Sequence, residues 1–124
     1  MISIRGAITT DSNSKIEILE RAKEMMEAII TSNGLRIDQI IQVLFSATKD
    51  LDEVYPAVAA REMGLTSAAL MCFQEMYVKG SLEKCIRVSV LAEAEGLNAQ
   101  NVKHQYLRGA RGLRTDLIET DLIE

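Results

Sequence analysis

Arg5 and Arg87 both interrupt apolar runs. Arg5 lies in Ile4-Arg5-Gly6-Ala7-Ile8, and Arg87 in Cys85-Ile86-Arg87-Val88-Ser89-Val90. A guanidinium keeps its charge at any working pH and offers a planar fork of donors that fits a carboxylate. Glu75 ends the stretch Cys72-Phe73-Gln74-Glu75, and Tyr106 sits in His104-Gln105-Tyr106-Leu107. By pattern alone, Arg5, Glu75 and Arg87 read as surface charges or structural ion pairs as readily as binding groups. Tyr106 reads equally as an interface aromatic with a satisfied hydroxyl. Most other chemistries are excluded more firmly. Two cysteines, Cys72 and Cys85, and the lone His104 are too few soft ligands for a structural zinc site. No nucleophile motif lies near His104, which reads as structural. There is no G-x-x-x-x-G-K-[ST] and no G-x-G-x-x-G. The expectation is that the protein uses neither metal nor cofactor.

The elements that must position these residues follow from periodicity. Ile2 to Ile8 reads as a strand, with Ile2, Ile4 and Ile8 on one face and Ser3, Arg5 and Ala7 on the other. Asp11-Ser12-Asn13-Ser14 is a helix-start signal, and Ser14 with Glu17 has the spacing of a capping box. The helical pattern runs to Asn33, with Ile18, Leu19, Ala22, Met25, Met26, Ile29 and Ile30 as its apolar stripe. Glu17–Arg21 and Lys23–Glu27 are i,i+4 pairs, and Gly34 is the natural C-terminal cap. Ile40 to Ser46 is nearly continuous in apolar residues and reads as a strand buried on both faces. Tyr55-Pro56 opens a short helix through Met63. Further strands are predicted over Ala68–Phe73, Cys85–Glu93 and Val102–Leu107, with irregular chain after Gly109. The sum is α/β (α+β): a mixed sheet of about five strands carrying one long helix. One helix cannot cover both faces of such a sheet, and the other face carries Arg5 and Arg87. An oligomer interface, or a barrel closed by neighbouring subunits, resolves that conflict.

A chain of 124 residues points to one domain. The last ten residues are the duplication Thr115-Asp116-Leu117-Ile118-Glu119 and Thr120-Asp121-Leu122-Ile123-Glu124. They hold all of the −4 net charge. Residues 1–114 therefore read as the folded domain and 115–124 as an acidic, mobile tail. A neutral body argues against nucleic-acid binding. No apolar run is long enough to span a membrane, and the N-terminus lacks the features of a signal peptide, so a cytoplasmic location is expected.

Four stretches considered together carry more information. They are Ile4-Arg5-Gly6-Ala7-Ile8-Thr9; Tyr55-Pro56-Ala57 with Arg61; Cys72-Phe73-Gln74-Glu75 followed by Lys84-Cys85-Ile86-Arg87-Val88; and His104-Gln105-Tyr106-Leu107 followed by Leu113-Arg114. In this order and spacing they resemble the monofunctional trimeric chorismate mutases, over about residues 2–118. The resemblance implies a homotrimer forming a pseudo-α/β-barrel, with active sites between adjacent subunits. It also implies the substrate chorismate, the product prephenate and a place in aromatic amino-acid biosynthesis. By the same resemblance Arg5 and Tyr106 hold a substrate carboxylate, Arg87 reaches the ether oxygen and the other carboxylate, and Glu75 and Cys72 meet the ring hydroxyl. Tyr55 and the Ala57 backbone line an apolar wall, with Arg61, Leu113 and Arg114 at the rim. Tyr55 stands where Phe is common, Val58 where some relatives carry a charge, and Thr115 where Pro usually follows. Two alternatives remain open at this stage: a non-catalytic trimeric small-carboxylate binder, and a trimeric imine deaminase with a cleft arginine.

Overall fold

The computed structural model describes residues 1–113. Arg114 and the acidic stretch 115–124 lie outside the described residues. The strands are β1 (Ile2–Thr9), β2 (Ile40–Ala47), β3 (Ala69–Gln74), β4 (Cys85–Ala92) and β5 (Gln105–Leu107); the helices are α1 (Lys15–Ser32) and α2 (Ala57–Glu62). Two 3₁₀ turns, Ile37–Gln39 and Arg108–Gly112, stand where the sequence pattern gave no regular element. The sheet is mixed, in the order β3-β2-β4-β1-β5, with β4 antiparallel to β1 and β2, and parallel pairs at both edges.

Helix α1 forms where its stripe predicts. Ile18, Ala22, Met25, Met26 and Ile29 are fully buried against Ile4, Ile8, Phe45, Ile86, Val88 and Val90. Each of the isoleucine and methionine side chains stabilises the fold by about 1.5–3 kcal/mol. Gly6 is what lets the helix lie this close to β1. A Cβ there would stand 2.9 Å from Ile29 Cδ1 and 3.2 Å from the Gln105 carbonyl oxygen. The Ser14 hydroxyl caps α1 by accepting the Glu17 N–H at 3.1 Å. The reciprocal half of the predicted capping box takes another form. The Glu17 carboxylate folds back over the preceding loop and accepts the N–H groups of Asp11 (2.7 Å) and Ser12 (2.9 Å). Gly34 follows the helix at φ +61°, as a C-terminal cap requires. Glu17–Arg21 pairs as predicted, but Lys23 turns to Glu62 of α2 (2.7 Å) instead of Glu27, because α2 packs beside it.

Two expectations are corrected. Strand β2 is buried on one face only. A bulge between Ile40 and Gln42 resets the alternation, leaving Val43 and Phe45 in the core while Gln42, Leu44 and Ser46 face the other way, partly exposed. Strand β5 begins at Gln105 instead of Val102 because Asn33 intercepts the chain. Its side-chain amide accepts the Lys103 N–H (2.8 Å) and donates to the Lys103 carbonyl (2.9 Å), consuming the groups a longer ladder would need. Both helices lie on one face of the sheet. The described residues leave the other face uncovered, except for a small cluster of Ala7, Cys85, Tyr106 and Ala110 joined by Leu82 and Leu113. No helix among the described residues is long and apolar enough to cross a membrane.

Charge ties the C-terminal 3₁₀ turn to the helix. Arg108 pairs with Glu24 (3.1 Å), and Glu24 also meets Arg21. Arg108 holds the Glu24 carboxyl below its ordinary value of 4.5, and the Asp11 N–H does the same for Glu17. A carboxyl depressed in the folded state stabilises the fold above its unfolded pKa, and that contribution is lost as the pH falls through the folded pKa. The unfolding temperature is therefore expected to hold steady down to about pH 5 and then fall as the medium becomes more acid. Glu24→Gln should reduce that fall. A Tm unchanged between pH 7 and pH 3 would contradict this reading.

Candidate active site

The uncovered face is organised by one row across all five strands. Phe73 pairs with Ser46, Ser46 with Arg87, Arg87 with Ala7, and Ala7 with Tyr106. Residues paired across strands point to the same side, so Arg87 and Tyr106 share this face. Arg5, two residues before Ala7, shares it too. The neighbours of Arg87 in the row, Ser46 and Ala7, are both small, which leaves room for its guanidinium. Arg87 Nε lies 3.1 Å from Glu75 Oε2 in an ion pair, and the Ser46 hydroxyl donates to the same oxygen at 3.0 Å. Glu75 is carried just past the end of β3, where its N–H donates to the Ala47 carbonyl at 2.9 Å. The pair stays partly open to solvent, at 44% for the Arg87 side chain and 29% for Glu75. An ion pair so exposed adds little stability.

The start of β4 is fixed from three sides. The Asp50 carboxylate accepts the Lys84 N–H at 3.0 and 3.2 Å, the Thr48 hydroxyl accepts the Cys85 N–H at 3.0 Å, and the Thr48 N–H donates to the Cys85 carbonyl at 3.0 Å. Lys84 lies in the left-handed region at φ 48°, a conformation that costs a non-glycine residue about 1 kcal/mol or more. Asp50 holds it there. Cys85 is then buried beside Arg87. Burial pushes its thiol up to about 11, against the pull of the Arg87 guanidinium, so at neutral pH it is an uncharged packing group.

The other sequence-predicted residues fall elsewhere. Cys72 pairs with the core residue Phe45, and its side chain packs toward the helices, on the face opposite Arg87. Cys72 and Tyr55 both line a cavity of about 560 Å³ with Leu51, Pro56, Phe73 and Gln74. Tyr55, just ahead of α2, is 70% exposed, and Arg61 is exposed on α2. The Ala57 methyl is buried in the main core. Leu113 packs against the small cluster around Tyr106. Arg5, Glu75, Arg87 and Tyr106 therefore share the uncovered face, while Tyr55, Ala57, Arg61 and Cys72 gather at the β3 edge. From β3 to β5 is four strand spacings, roughly 19 Å.

The residues missed at the sequence level are Ser46, Ala7, Cys85 and the Thr48–Asp50 clamp. A small residue within an isoleucine- or valine-rich strand is the one signal that marks Ser46 and Ala7. Among the described residues there is no group of three or more His, Cys, Asp or Glu side chains placed to hold a metal ion.

Known proteins share this fold. The family model described as "Chorismate mutase type I" matches residues 1–117. The chain belongs to this family. It is 40% identical over 115 residues to the chorismate mutase AroH of Bacillus subtilis (strain 168), an overlap covering 92% of this chain and 90% of that one. It is 36% identical to the chorismate mutase AroH of Thermus thermophilus, across 92% and 93% of the two chains. A solved chorismate mutase from Clostridium thermocellum superposes with a TM-score of 0.87 at 45% identity, covering 90% of this chain and 98% of that one. The mixed sheet with its two helices is thus the fold of a chorismate mutase. The match spans every candidate residue on the described face as well as Arg114.

Proposed function

We propose that this chain catalyses the rearrangement of chorismate to prephenate, in a site completed by a neighbouring copy of itself. The observation that carries the reading is the Ser46–Glu75–Arg87 group on the uncovered sheet face, with Arg5 and Tyr106 one and two strands away, in a chain of the type I chorismate mutase family.

The reaction breaks one C–O bond while a C–C bond forms within the same molecule. It needs no nucleophile, and it transfers no proton. The dianionic substrate must be held in a compact, chair-like conformer with the reacting carbons close together. Arg5 and Tyr106 grip one carboxylate, and that grip selects the conformer. As the C–O bond stretches, negative charge builds on the ether oxygen, and Arg87 meets it. A cation already fixed by Glu75 need not reorganise, so it stabilises the transition state more than the ground state. An acceleration of about 10⁶-fold corresponds to roughly 8 kcal/mol. One well-placed donor supplies on the order of 3–4 kcal/mol, and conformer selection supplies most of the rest. Glu75 takes the ring hydroxyl, with Cys72 at the lip of the cavity beside Tyr55.

Two features support a site built by two chains of a trimer. Among the described residues nothing covers the face bearing Arg87 beyond the small cluster around Tyr106, and Met71 and Phe73 of β3 are half exposed on it. The wall residue Tyr55 and the rim residue Arg61 lie at the β3 edge, while Arg5 and Tyr106 lie on the strands toward the β5 edge. When the β3 edge of one chain meets the β5 side of the next, the two sets close on one another. Leu113 and Arg114 then rim the cleft. We place the reaction in the cytoplasm, within aromatic amino-acid biosynthesis.

The direct test is to follow the loss of chorismate absorbance with purified protein and to identify prephenate as the product. A protein that binds chorismate without consuming it is a carboxylate binder instead. Where turnover is seen, kcat should be nearly flat across neutral pH and almost unchanged in D₂O, because no proton moves. A bell-shaped profile with a large solvent isotope effect indicates general acid–base chemistry and contradicts the mechanism.

A further inference from the structure

His104 stands directly before β5, and its ring does something no backbone group does there. The parallel ladder between β1 and β5 is only three residues long, pairing Gly6–Ile8 with Gln105–Leu107. One step earlier, the Arg5 N–H donates to His104 Nδ1 at 2.9 Å. The imidazole thus takes the place of a ladder carbonyl and extends the β1–β5 junction to Arg5 itself. The backbone of His104 is fixed on both sides: Asn33 clamps Lys103 through both its N–H and its carbonyl, and Gln105 opens the ladder. The ring is half buried. The two strands it joins carry Arg5 and Tyr106, the pair assigned to one substrate carboxylate.

We propose that His104 is a positioning residue for that carboxylate grip. It acts through the Arg5 main chain, setting the separation of Arg5 from Tyr106, and touches no substrate. The proposal rests on the assignment of Arg5 and Tyr106 made above. It requires an acceptor at the Nδ1 position, one atom beyond Cγ. Asn places its Oδ1 there. Gln is of similar polarity but carries its oxygen one methylene further out and cannot reproduce the contact.

The experiment compares chorismate kinetics of His104→Asn and His104→Gln, with Arg5→Ala as a control. All three are first checked for folding by circular dichroism and thermal melting. His104→Gln is expected to raise KM about five- to tenfold, the loss of one hydrogen bond, with kcat within about twofold of the parent. His104→Asn should return KM to within about twofold of the parent value. Equal KM values for Asn and Gln overturn the proposal, whether both match the parent or both are raised. So does a fall in kcat that simply tracks the folded fraction. The Arg5→Ala control separates the two failures. If Arg5→Ala raises KM while both His104 variants behave as the parent, only the role of His104 is wrong. If Arg5→Ala leaves KM unchanged, the carboxylate assignment fails and the proposal falls with it.

Discussion

Arg87→Ala is expected to lower kcat by about 10²–10³ or more while changing KM far less. The cause lies in the row in which Arg87 stands. Ser46 and Ala7 flank it with minimal side chains, and Glu75, itself held by Ser46, fixes its Nε. A guanidinium held in this way is ready for charge that appears only as the C–O bond stretches, so its loss is felt in the chemical step. Arg87→Lys keeps the charge but loses the fork and the Nε contact to Glu75, and should recover only part of the rate. Arg5→Ala should weaken substrate binding more evenly and act mainly through KM. If Arg87→Ala keeps its kcat and only raises KM, Arg87 is a plain carboxylate anchor and the ether-oxygen role is wrong. Stability should change little in the Arg87 variants, since the Arg87–Glu75 pair is partly open to solvent, and little in Arg5→Ala, since Arg5 is exposed.

Much of this site was legible in the sequence, and the part that was not has a physical reason. Period-two alternation identified β1 and β4 and put Arg5 and Arg87 on the face away from Ile4, Ile86 and Val88, where the structure has them. The apolar stripe and the Ser14 cap located α1 to within a residue or two. Local pattern carries no information about register between strands, so the row joining Phe73, Ser46, Arg87, Ala7 and Tyr106 could not be read. Nor could the roles of Ser46 and Ala7 that depend on it. The bulge at Ile41 hid the one-sided burial of β2, because the apolar run continues straight through it. The start of β5 cannot be read locally because Asn33, 70 residues away in the chain, captures Lys103. Spacing marks His104 as structural but cannot reveal the residue whose N–H its ring accepts, Arg5. Cys72 was grouped with Glu75 by resemblance, whereas strand parity turns its side chain toward the helices.

The same split between the two faces decides how the shared site is best tested. Two inactive variants are needed, one for each half. A bulky charge at Ala57 is a poor choice for the wall, because its methyl is buried in the core and the chain would unfold. Tyr55 and Arg61 are exposed, so Tyr55→Asp combined with Arg61→Glu should damage the wall and its rim by repelling a dianion while leaving the fold intact. The other variant is Arg87→Ala. Size measurement first establishes that each forms trimers and that the two exchange subunits. The variants are then unfolded together, refolded as an equal mixture and assayed with chorismate. In mixed trimers some clefts receive an intact wall from one chain and an intact Arg87 from its neighbour. With random assembly about a quarter of the clefts are whole, so about a quarter of the parent activity should return. A site contained within one chain allows no such rescue, since every chain still carries its own defect. A mixture that exchanges subunits freely and stays as inactive as its parts would contradict the shared cleft.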